Sequence, residues 1–222
     1  MRLLLTSGGV SHPSLRAALV DLLGRPVEQC HALAIPTALH GHAQVGPHNA
    51  VRFLTGETDH LAGLGWASVG LLELTALPSI DRDRWTSWVR EADVLLAAGG
   101  DAAYLAHWVR ASGLADLLLA DDGPAPVWVG MSAGSMAVTP RVGADFVTWP
   151  SEGADDRTLG WVDFSLFPHL EHPMLPDNTL DAARTWAADL GHPAYALDDA
   201  SAVVVDGDRV RVVSGGRWEK VG

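Results

Sequence analysis

The chain has 222 residues, of which 48% are hydrophobic, and a formal net charge of −12 at pH 7. A chain of this length and composition can bury the core of one globular domain, and we predict a single domain over residues 1–222. The 15 lysines and arginines are spread along the chain rather than clustered, which argues against a nucleic-acid-binding surface.

The cysteine content and the first residues are typical of an intracellular protein. Cys30 is the only cysteine, so the chain cannot form an intramolecular disulfide. The opening residues MRLLLTSGGV contain too short an apolar stretch for a signal peptide, and no later stretch reads as a membrane span. We therefore expect a cytoplasmic protein with neither a membrane nor a nucleic acid as partner.

Apolar runs alternate with amphipathic helical patterns, as is typical of a mostly parallel sheet with helices on both faces. The predicted strands cover residues 1–6, 32–36, 68–74, 93–98 and 127–131. The predicted helices cover residues 12–23, 49–64, 83–91, 102–119 and 178–190. We expect residues 141–176 to be irregular, and residues 200–205 and 209–213 to form a β-hairpin around an Asp-Gly-Asp turn. The predicted fold class is α/β with this hairpin at its C-terminal end.

The most informative motif is WVGMSAGSM, residues 128–136, which ends the fifth predicted strand. Gly130 and Gly134 flank Ser132 and allow a sharp turn from strand into helix, which would expose the serine oxygen at the carboxyl edge of the sheet. A serine hydroxyl needs a neighbouring base, and N–H donors for the developing oxyanion, before it can act as a nucleophile. Tight packing between a strand and a helix is the alternative explanation of the pentad.

A second glycine turn ends the fourth predicted strand. There Gly99 and Gly100 precede Asp101 at the start of a predicted helix. In a parallel sheet their N–H groups would lie at the same edge as Ser132 and would be available to an oxyanion. An ordinary strand-to-helix turn with Asp101 as the helix N-cap is the alternative, and the two are compatible.

These residues resemble the S51 serine peptidases, which include aspartyl dipeptidase (peptidase E) and cyanophycinase. The resemblance covers most of the chain and rests on five segments. They are LLLTSGG (3–9), AIPTA (34–38), GGDAAYL (99–105), GMSAGSM (130–136) and FPHLE (167–171). It implies a fold similar to the class I glutamine amidotransferases, of the flavodoxin-like kind, with serine in place of their elbow cysteine.

The resemblance also implies roles for individual residues. Ser132 would be the nucleophile, and His169, in a Pro-His motif just under forty residues later, would take and return its proton. The N–H groups of Gly100 and Ala133 would form the oxyanion hole.

The third member of the triad is less well determined by the motifs. The family places an aspartate shortly after the elbow helix, and Asp145 is the nearest match here. Asp163, before the histidine, and Glu171, after it, are the alternatives. An ordinary solvated carboxylate on a loop is the other interpretation of Asp145.

Two departures from the family pattern concern the substrate. Aspartate-specific members carry an arginine-rich helix start after the Pro-His motif, and its guanidinium would pair with the substrate side chain. The comparable stretch here, residues 176–184, contains only Arg184 as a candidate substrate-binding arginine. The family's Gly-Gly-Asn is Gly-Gly-Asp here, so Asp101 is either a helix cap or a contact for a substrate amine. The resemblance therefore implies a serine exopeptidase for short peptides without strict selectivity for an N-terminal aspartate.

Other functions stay open from the sequence. They are a strict aspartyl dipeptidase, a carboxypeptidase-type exopeptidase, a cyanophycinase-like hydrolase and a catalytically idle binding protein on the same fold. We expect no cofactor and no metal, because His40, His42, His48 and His60 lack a recognised ligand spacing. Small peptides are the expected partners, and assembly into a homodimer is left open.

Overall fold

Helices and strands alternate through most of the computed structural model, which describes residues 1–45, 47–57, 61–120, 123–150 and 155–222. The strands in these ranges are β1 (Arg2–Thr6), β2 (His31–Ile35), β3 (Ser68–Leu71), β4 (Val94–Ala97), β5 (Val127–Met131), β6 (Ser165–Phe167), β7 (Ala194–Leu197), β8 (Ser201–Asp206), β9 (Arg209–Ser214) and β10 (Trp218–Val221). The α-helices are α1 (Pro13–Leu23), α2 (Ala38–Gly41), α3 (Pro47–Thr55), α4 (Arg82–Glu91), α5 (Ala102–Ala111), α6 (Leu114–Leu119), α7 (Ala133–Met136) and α8 (Leu180–Leu190).

A seven-stranded sheet lies at the centre of the fold. Its strand order is β3-β2-β4-β5-β1-β8-β9. The first five strands in this order pair in parallel, whereas β8 and β9 are antiparallel to their neighbours. The predicted α/β class, the mostly parallel sheet and the C-terminal hairpin, which is β8 and β9, are therefore confirmed.

Hydrophobic residues of the central strands divide between two cores, because successive side chains of a strand point to opposite faces. Leu3 and Leu5 of β1 pack in the core formed with α4 and α5. Leu4 packs on the other face with Leu15 and Leu19 of α1. All five leucines are fully buried, and burial of one such side chain stabilises the folded state by about 2 kcal/mol relative to exposure. Helices therefore cover both faces of the sheet.

A second, three-stranded sheet of order β10-β7-β6 was not predicted. β6 pairs in parallel with β7, and β10 pairs antiparallel with β7. Helix α8 packs on this sheet through Trp186 and Ala187, in a separate hydrophobic cluster. Its strands have only three or four residues, too few to show the alternation by which a strand is predicted. β6 lies inside the segment that was expected to be irregular, and it leads directly into the Pro-His motif.

Glycines with positive φ interrupt two of the predicted helices. The helix predicted over residues 102–119 is divided into α5 and α6 by Gly113, whose φ is +80°. The helix predicted over residues 49–64 is represented by α3, followed by Gly56 at φ +71°; residues 58–60 of that prediction lie outside the described residues. Glycine has no Cβ and adopts this conformation without a clash, so it commonly ends helices. Within the described ranges, no helix is long and apolar enough to cross a membrane.

Candidate active site

Ser132 lies in a strained turn at the carboxyl end of β5. Its φ of 51° and ψ of −115° lie outside the regions that residues with a side chain normally adopt. A Cβ on Gly130 would lie 2.5 Å from the backbone of Gly134, and a Cβ on Gly134 would collide with the carbonyl oxygen of Ala97. The N–H of Ser132 donates to the carbonyl oxygen of Thr6 in β1 at 3.0 Å. The strand-to-helix turn predicted from the Gly-x-Ser-x-Gly pentad is therefore present.

His169 joins Ser132 to a carboxylate. Its Nε2 lies 2.9 Å from Oγ of Ser132, and its Nδ1 lies 2.7 Å from Oδ1 of Asp199. With the ring proton on Nδ1, the imidazole donates to Asp199 and leaves Nε2 free to accept the serine proton. The side chains of His169 and Asp199 are 25% and 35% exposed, so a ligand can approach the site from solvent. The arrangement has the order of a nucleophile, a base and an orienting acid.

The carboxylate beside His169 belongs to Asp199 and not to the predicted Asp145. β8 runs antiparallel to β1 with Ala202 opposite Thr6, so the start of β8 lies at the carboxyl edge of the parallel strands. Asp199 precedes β8 by two residues and thus reaches the same edge as Ser132. An acid immediately before the predicted hairpin was the available sequence signal. It identifies a position near the serine only when the pairing of β8 with β1 is known.

The three acids considered from the sequence lie elsewhere. Asp145 is exposed in the short 3-10 turn Ala144–Phe146, and no hydrogen bond joins it to His169 in the described part of the chain. Asp163 is exposed as well. Glu171 forms an ion pair with Arg217. None of these acids therefore occupies the position beside the imidazole.

The environment of Asp199 favours its ionised form. Burial by itself would raise the pKa of Asp199, but the hydrogen bond and charge of His169, the hydrogen bond from Ser7 and the charge of His172 together lower it below its ordinary value. Nε2 of His172 lies 3.6 Å from Oδ2 of Asp199. An ionised carboxylate at this position holds the imidazole tautomer and stabilises the imidazolium that forms when the ring accepts a proton.

Ser7 and Gly8, directly after β1, hold both His169 and Asp199. Ser7 is fully buried, and its hydroxyl donates to Oδ1 of Asp199 at 2.7 Å and accepts the backbone N–H of His169 at 2.7 Å. A Cβ on Gly8 would lie 2.6 Å from Cβ of Asp199, so a side chain there would displace the carboxylate. The LLLTSGG segment therefore contributes two positioning residues, which the sequence did not distinguish from an ordinary strand end.

A pocket of about 320 Å³ opens beside Ser132 and His169. Its apolar lining residues include Val45, Ala102, Met136, Phe146, Pro168 and Leu175. Among the lining residues in the described ranges, Asp145 is the one aspartate, glutamate, lysine or arginine. Sites for small molecules have volumes of roughly 300 to 1,000 Å³, so this pocket suits a ligand of very few residues.

The turn at Gly99 and Gly100 lies against Ser132. A Cβ on Gly99 would be 3.5 Å from Cβ of Ser132, and Gly100 has a φ of +134° that favours glycine. Gly100 and Ala133 both line the pocket. Neither backbone N–H donates to an acceptor within the part of the chain that the structure describes. Both N–H groups therefore lack a protein acceptor among the described residues and belong to residues of the same pocket as Ser132.

Comparison of the sequence with known families decides the identity. The sequence model of peptidase family S51 matches residues 3–213 of this chain. This chain belongs to peptidase family S51. The resemblance drawn from the five sequence segments is confirmed, and the protein is a peptidase of that family.

Solved structures similar to this S51 peptidase include two bacterial proteins. The "Putative Peptidase E Protein" from Listeria monocytogenes EGD-e is 19% identical, with a TM-score of 0.69 over 97% of this chain and 98% of its own. A peptidase from an acI-B1 Actinobacterium is 20% identical, with a TM-score of 0.68 over 98% of this chain and 88% of its own. No curated protein sequence matches the chain. At these identities the likeness shows the fold.

Asp101 of this S51 peptidase is a structural residue. It is fully buried, and its Oδ1 accepts the N–H of Tyr104 at 2.8 Å, which caps α5. Its Oδ2 accepts the N–H groups of Thr148 at 2.7 Å and Trp149 at 2.8 Å, and also the Thr148 hydroxyl. The helix-cap interpretation is therefore confirmed. The alternative, a contact with a substrate amine, is wrong because both oxygens are buried and occupied.

Arg184 lies outside the pocket of Ser132. It is exposed on α8, where its guanidinium pairs with Glu219 at 2.6 Å and with Asp181 at 3.4 Å. It is absent from the pocket lining, as are all other arginines and lysines in the described ranges. The structure therefore does not bring Arg184 to the pocket of Ser132, which leaves its predicted contact with a substrate without support.

Three of the four histidines considered as metal ligands, His40, His42 and His48, lie within the described residues. His40 lies 3.5 Å from Glu73, and His42 lines the pocket of Ser132. His60 lies outside the described residues. In the ranges that the structure covers, no three histidine, cysteine, aspartate or glutamate side chains are grouped to hold a metal ion.

Loss of the Ser7 hydroxyl is expected to reduce turnover of the peptidase. Ser7→Ala leaves the N–H of His169 and one oxygen of Asp199 short of a partner, which costs about 1 to 3 kcal/mol and should lower kcat by roughly 10- to 100-fold. KM should change little, because Ser7 does not line the pocket. Steady-state kinetics with a peptide substrate measure both constants.

Ser11→Ala is the matched control for Ser7→Ala. The exposed Ser11 hydroxyl donates at 2.6 Å to the backbone carbonyl of the same aspartate, Asp199, and not to its carboxylate. We expect its kcat to stay close to that of the parent. Equal losses in the two variants would show that Ser7 acts through general stability and not through the orientation of His169.

Proposed function

We propose that this S51 peptidase is a serine exopeptidase that hydrolyses short peptides through a triad of Ser132, His169 and Asp199. The observation that carries the proposal is the continuous chain of hydrogen bonds from Oγ of Ser132 through both ring nitrogens of His169 to Asp199. The strained backbone of Ser132 supports it, because such conformations concentrate at functional sites.

In the proposed reaction Oγ of Ser132 attacks the peptide carbonyl carbon while Nε2 of His169 takes the serine proton. Asp199 stabilises the resulting imidazolium, and the N–H groups of Gly100 and Ala133 donate to the oxyanion. Cleavage of the C–N bond releases the amine, which leaves with the proton from Nε2. A water molecule, deprotonated by the same nitrogen, then attacks the acyl carbon. The bond to Oγ of Ser132 breaks, Nε2 returns the proton to Oγ, and the acid product leaves. Each oxyanion donor of this kind contributes about 10²- to 10³-fold to kcat.

The pocket supports small peptides as substrates. Its volume of about 320 Å³ lies near the lower end of the range for small-molecule sites, roughly 300 to 1,000 Å³. Its mostly apolar lining would accept an uncharged side chain next to the scissile carbonyl. These features favour di- and tripeptides over folded proteins.

Covalent labelling with a fluorophosphonate tests the proposed mechanism. The reagent modifies a serine only when a base and an oxyanion hole activate it. Labelling confined to Ser132 is the expected result. Hydrolysis of a panel of short peptides, with either end free or blocked, would then identify the bond that is cleaved. A protein that binds peptides without cleaving them would not be labelled, so the absence of labelling would favour a catalytically idle binding protein.

We expect no large preference for peptides that begin with aspartate. No arginine or lysine of the described chain lines the pocket, and Arg141 nearby is paired with Asp156 at 2.9 Å. A desolvated ion pair to the substrate would provide a preference of about 100-fold or more. The ratio of kcat/KM values for Asp-Leu, Ala-Leu and Met-Leu measures this preference. Exclusive cleavage of Asp-Leu would establish a strict aspartyl dipeptidase instead.

A further inference from the structure

Asp145 is a carboxylate in the Ser132 pocket without a partner in the described protein. It is exposed, and no hydrogen bond or ion pair joins it to another described side chain. We propose that Asp145 binds the free α-ammonium group of the substrate and that the enzyme therefore acts at the amino terminus of short peptides with an uncharged first residue. The inference rests on the proposed function, since it places the scissile carbonyl at Ser132.

The loop that carries Asp145 is fixed at both ends. Before it, the carbonyl oxygen of Val142 accepts the indole N–H of Trp186 at 2.8 Å. After it, Thr148 and Trp149 donate to the buried carboxylate of Asp101. The fully buried Asp101 thus holds the segment that lines the pocket, and Asp145 is presented by a fixed turn.

Aromatic residues pack against the turn that carries Asp145. Phe146, directly after Asp145, packs edge-to-face against Phe167 and Trp186, with ring centroids 5.6 and 6.0 Å apart. Phe167 ends β6, two residues before His169. The Asp145 turn therefore packs against the end of the strand that leads to the proposed base, His169.

The charge distribution leaves Asp145 available for a ligand. Arg141 lines the adjoining cavity but already pairs with Asp156, through contacts of 2.9 and 3.1 Å. The other lining residues of the Ser132 pocket are apolar, hydroxyl, amide, histidine or glycine residues. A ligand that enters this pocket therefore meets an uncompensated negative charge, which attracts a cation and disfavours a second carboxylate.

The α-ammonium group is the cation that every unblocked peptide carries close to its first peptide bond. It is separated from the first carbonyl carbon by two covalent bonds, so a carbonyl at Ser132 places it inside the same pocket that Asp145 lines. Peptides whose first residue carries a carboxylate would add a negative charge near Asp145. The proposal thus gives a physical reason for an uncharged first residue.

Binding to the Ser132→Ala variant tests the proposal without turnover. The ligands are Ala-Leu and propionyl-leucine, which has the same shape but a hydrogen atom in place of the ammonium group. Ala-Leu should bind more tightly by about 10- to 100-fold, as expected for a hydrogen bond between charged groups. Adding Asp145→Asn should remove this preference by weakening Ala-Leu alone, as measured by isothermal titration calorimetry.

The matched control is Asp189→Asn in the same background. Asp189 is an exposed carboxylate of α8 that lines the adjoining cavity with Asp145 but not the pocket of Ser132, so its removal changes the net charge equally. The preference for Ala-Leu should persist in this variant. An unchanged preference in Asp145→Asn, or an equal loss in Asp189→Asn, would overturn the proposal.

Fluorophosphonate labelling separates this inference from the proposed function. Asp145→Asn with Ser132 intact should be labelled at the parent's rate, since the reagent carries no ammonium group. Slower labelling of this variant would mean that Asp145 acts on the serine and not on the substrate amine, which overturns the inference. Failure of the parent protein to react would refute the serine mechanism, whatever the result for peptide binding.

Discussion

Ser132→Ala is expected to abolish peptide hydrolysis, with kcat lower by about 10⁴- to 10⁶-fold. The variant removes the oxygen that His169 contacts at 2.9 Å, and no other hydroxyl is hydrogen-bonded to that ring nitrogen in the described chain. The fold should be retained, because the turn depends on Gly130, Gly134 and the backbone bond from residue 132 to Thr6. Steady-state kinetics and a thermal unfolding curve measure the two effects.

Ser135→Ala is the matched control in the same turn. Its hydroxyl is buried and donates to the carbonyl oxygen of Thr6 at 2.7 Å, so it stabilises the turn without contacting His169. A loss of about 1 kcal/mol in the free energy of unfolding with activity retained is expected. A Ser132→Ala protein with activity near that of the parent would refute the serine mechanism.

Asp199→Asn is expected to lower kcat by about 10⁴-fold while the fold is preserved. An amide cannot supply the negative charge that stabilises the imidazolium, and its NH₂ group can hold His169 in the unproductive tautomer. Fluorophosphonate labelling should slow in parallel. Asp145→Asn distinguishes the two candidate acids, because labelling should slow only when the acid that contacts Nδ1 of His169 is replaced. The reverse outcome would restore Asp145 as the acid of the triad.

The lowered pKa of Asp199 also predicts how stability depends on pH. Because the folded state favours the ionised carboxylate, this group contributes stability above its unfolded pKa, about 3.9 for an aspartate. That contribution is lost as the pH falls from about 4 through the lower folded pKa. Asp199→Asn should therefore show a shallower fall in the free energy of unfolding below pH 4 than the parent does.

Local sequence patterns predicted the sharp turn at Ser132 and the parallel part of the sheet. The apolar runs that became β1, β4 and β5 are continuous because their residues are buried on both faces. Gly130 and Gly134 leave room where the chain turns, so the pattern around Ser132 reports a steric requirement that acts within a few residues. His169 came from a resemblance, and its motif is equally local.

Local sequence patterns could not predict which acid contacts His169 or which residues contact the substrate. Asp199 is thirty residues from His169 and sixty-seven from Ser132, and it reaches them only because β8 pairs antiparallel with β1. Asp101 had the right sequence position for a substrate contact, but the fold buries it and uses both of its oxygens. Arg184 lies on a helix whose packing on the small sheet directs it to Glu219.

The sequence by itself determined the five parallel strands of the central sheet, its C-terminal hairpin and the sharp turn at Ser132, because burial, strand alternation and glycine conformation act over short stretches of chain. The tertiary structure alone decided which of the many aspartates faces the imidazole and which is left unpaired in the pocket. Those assignments depend on how strands far apart in the sequence pair, and a carboxylate on a loop carries no local signal of its eventual neighbour.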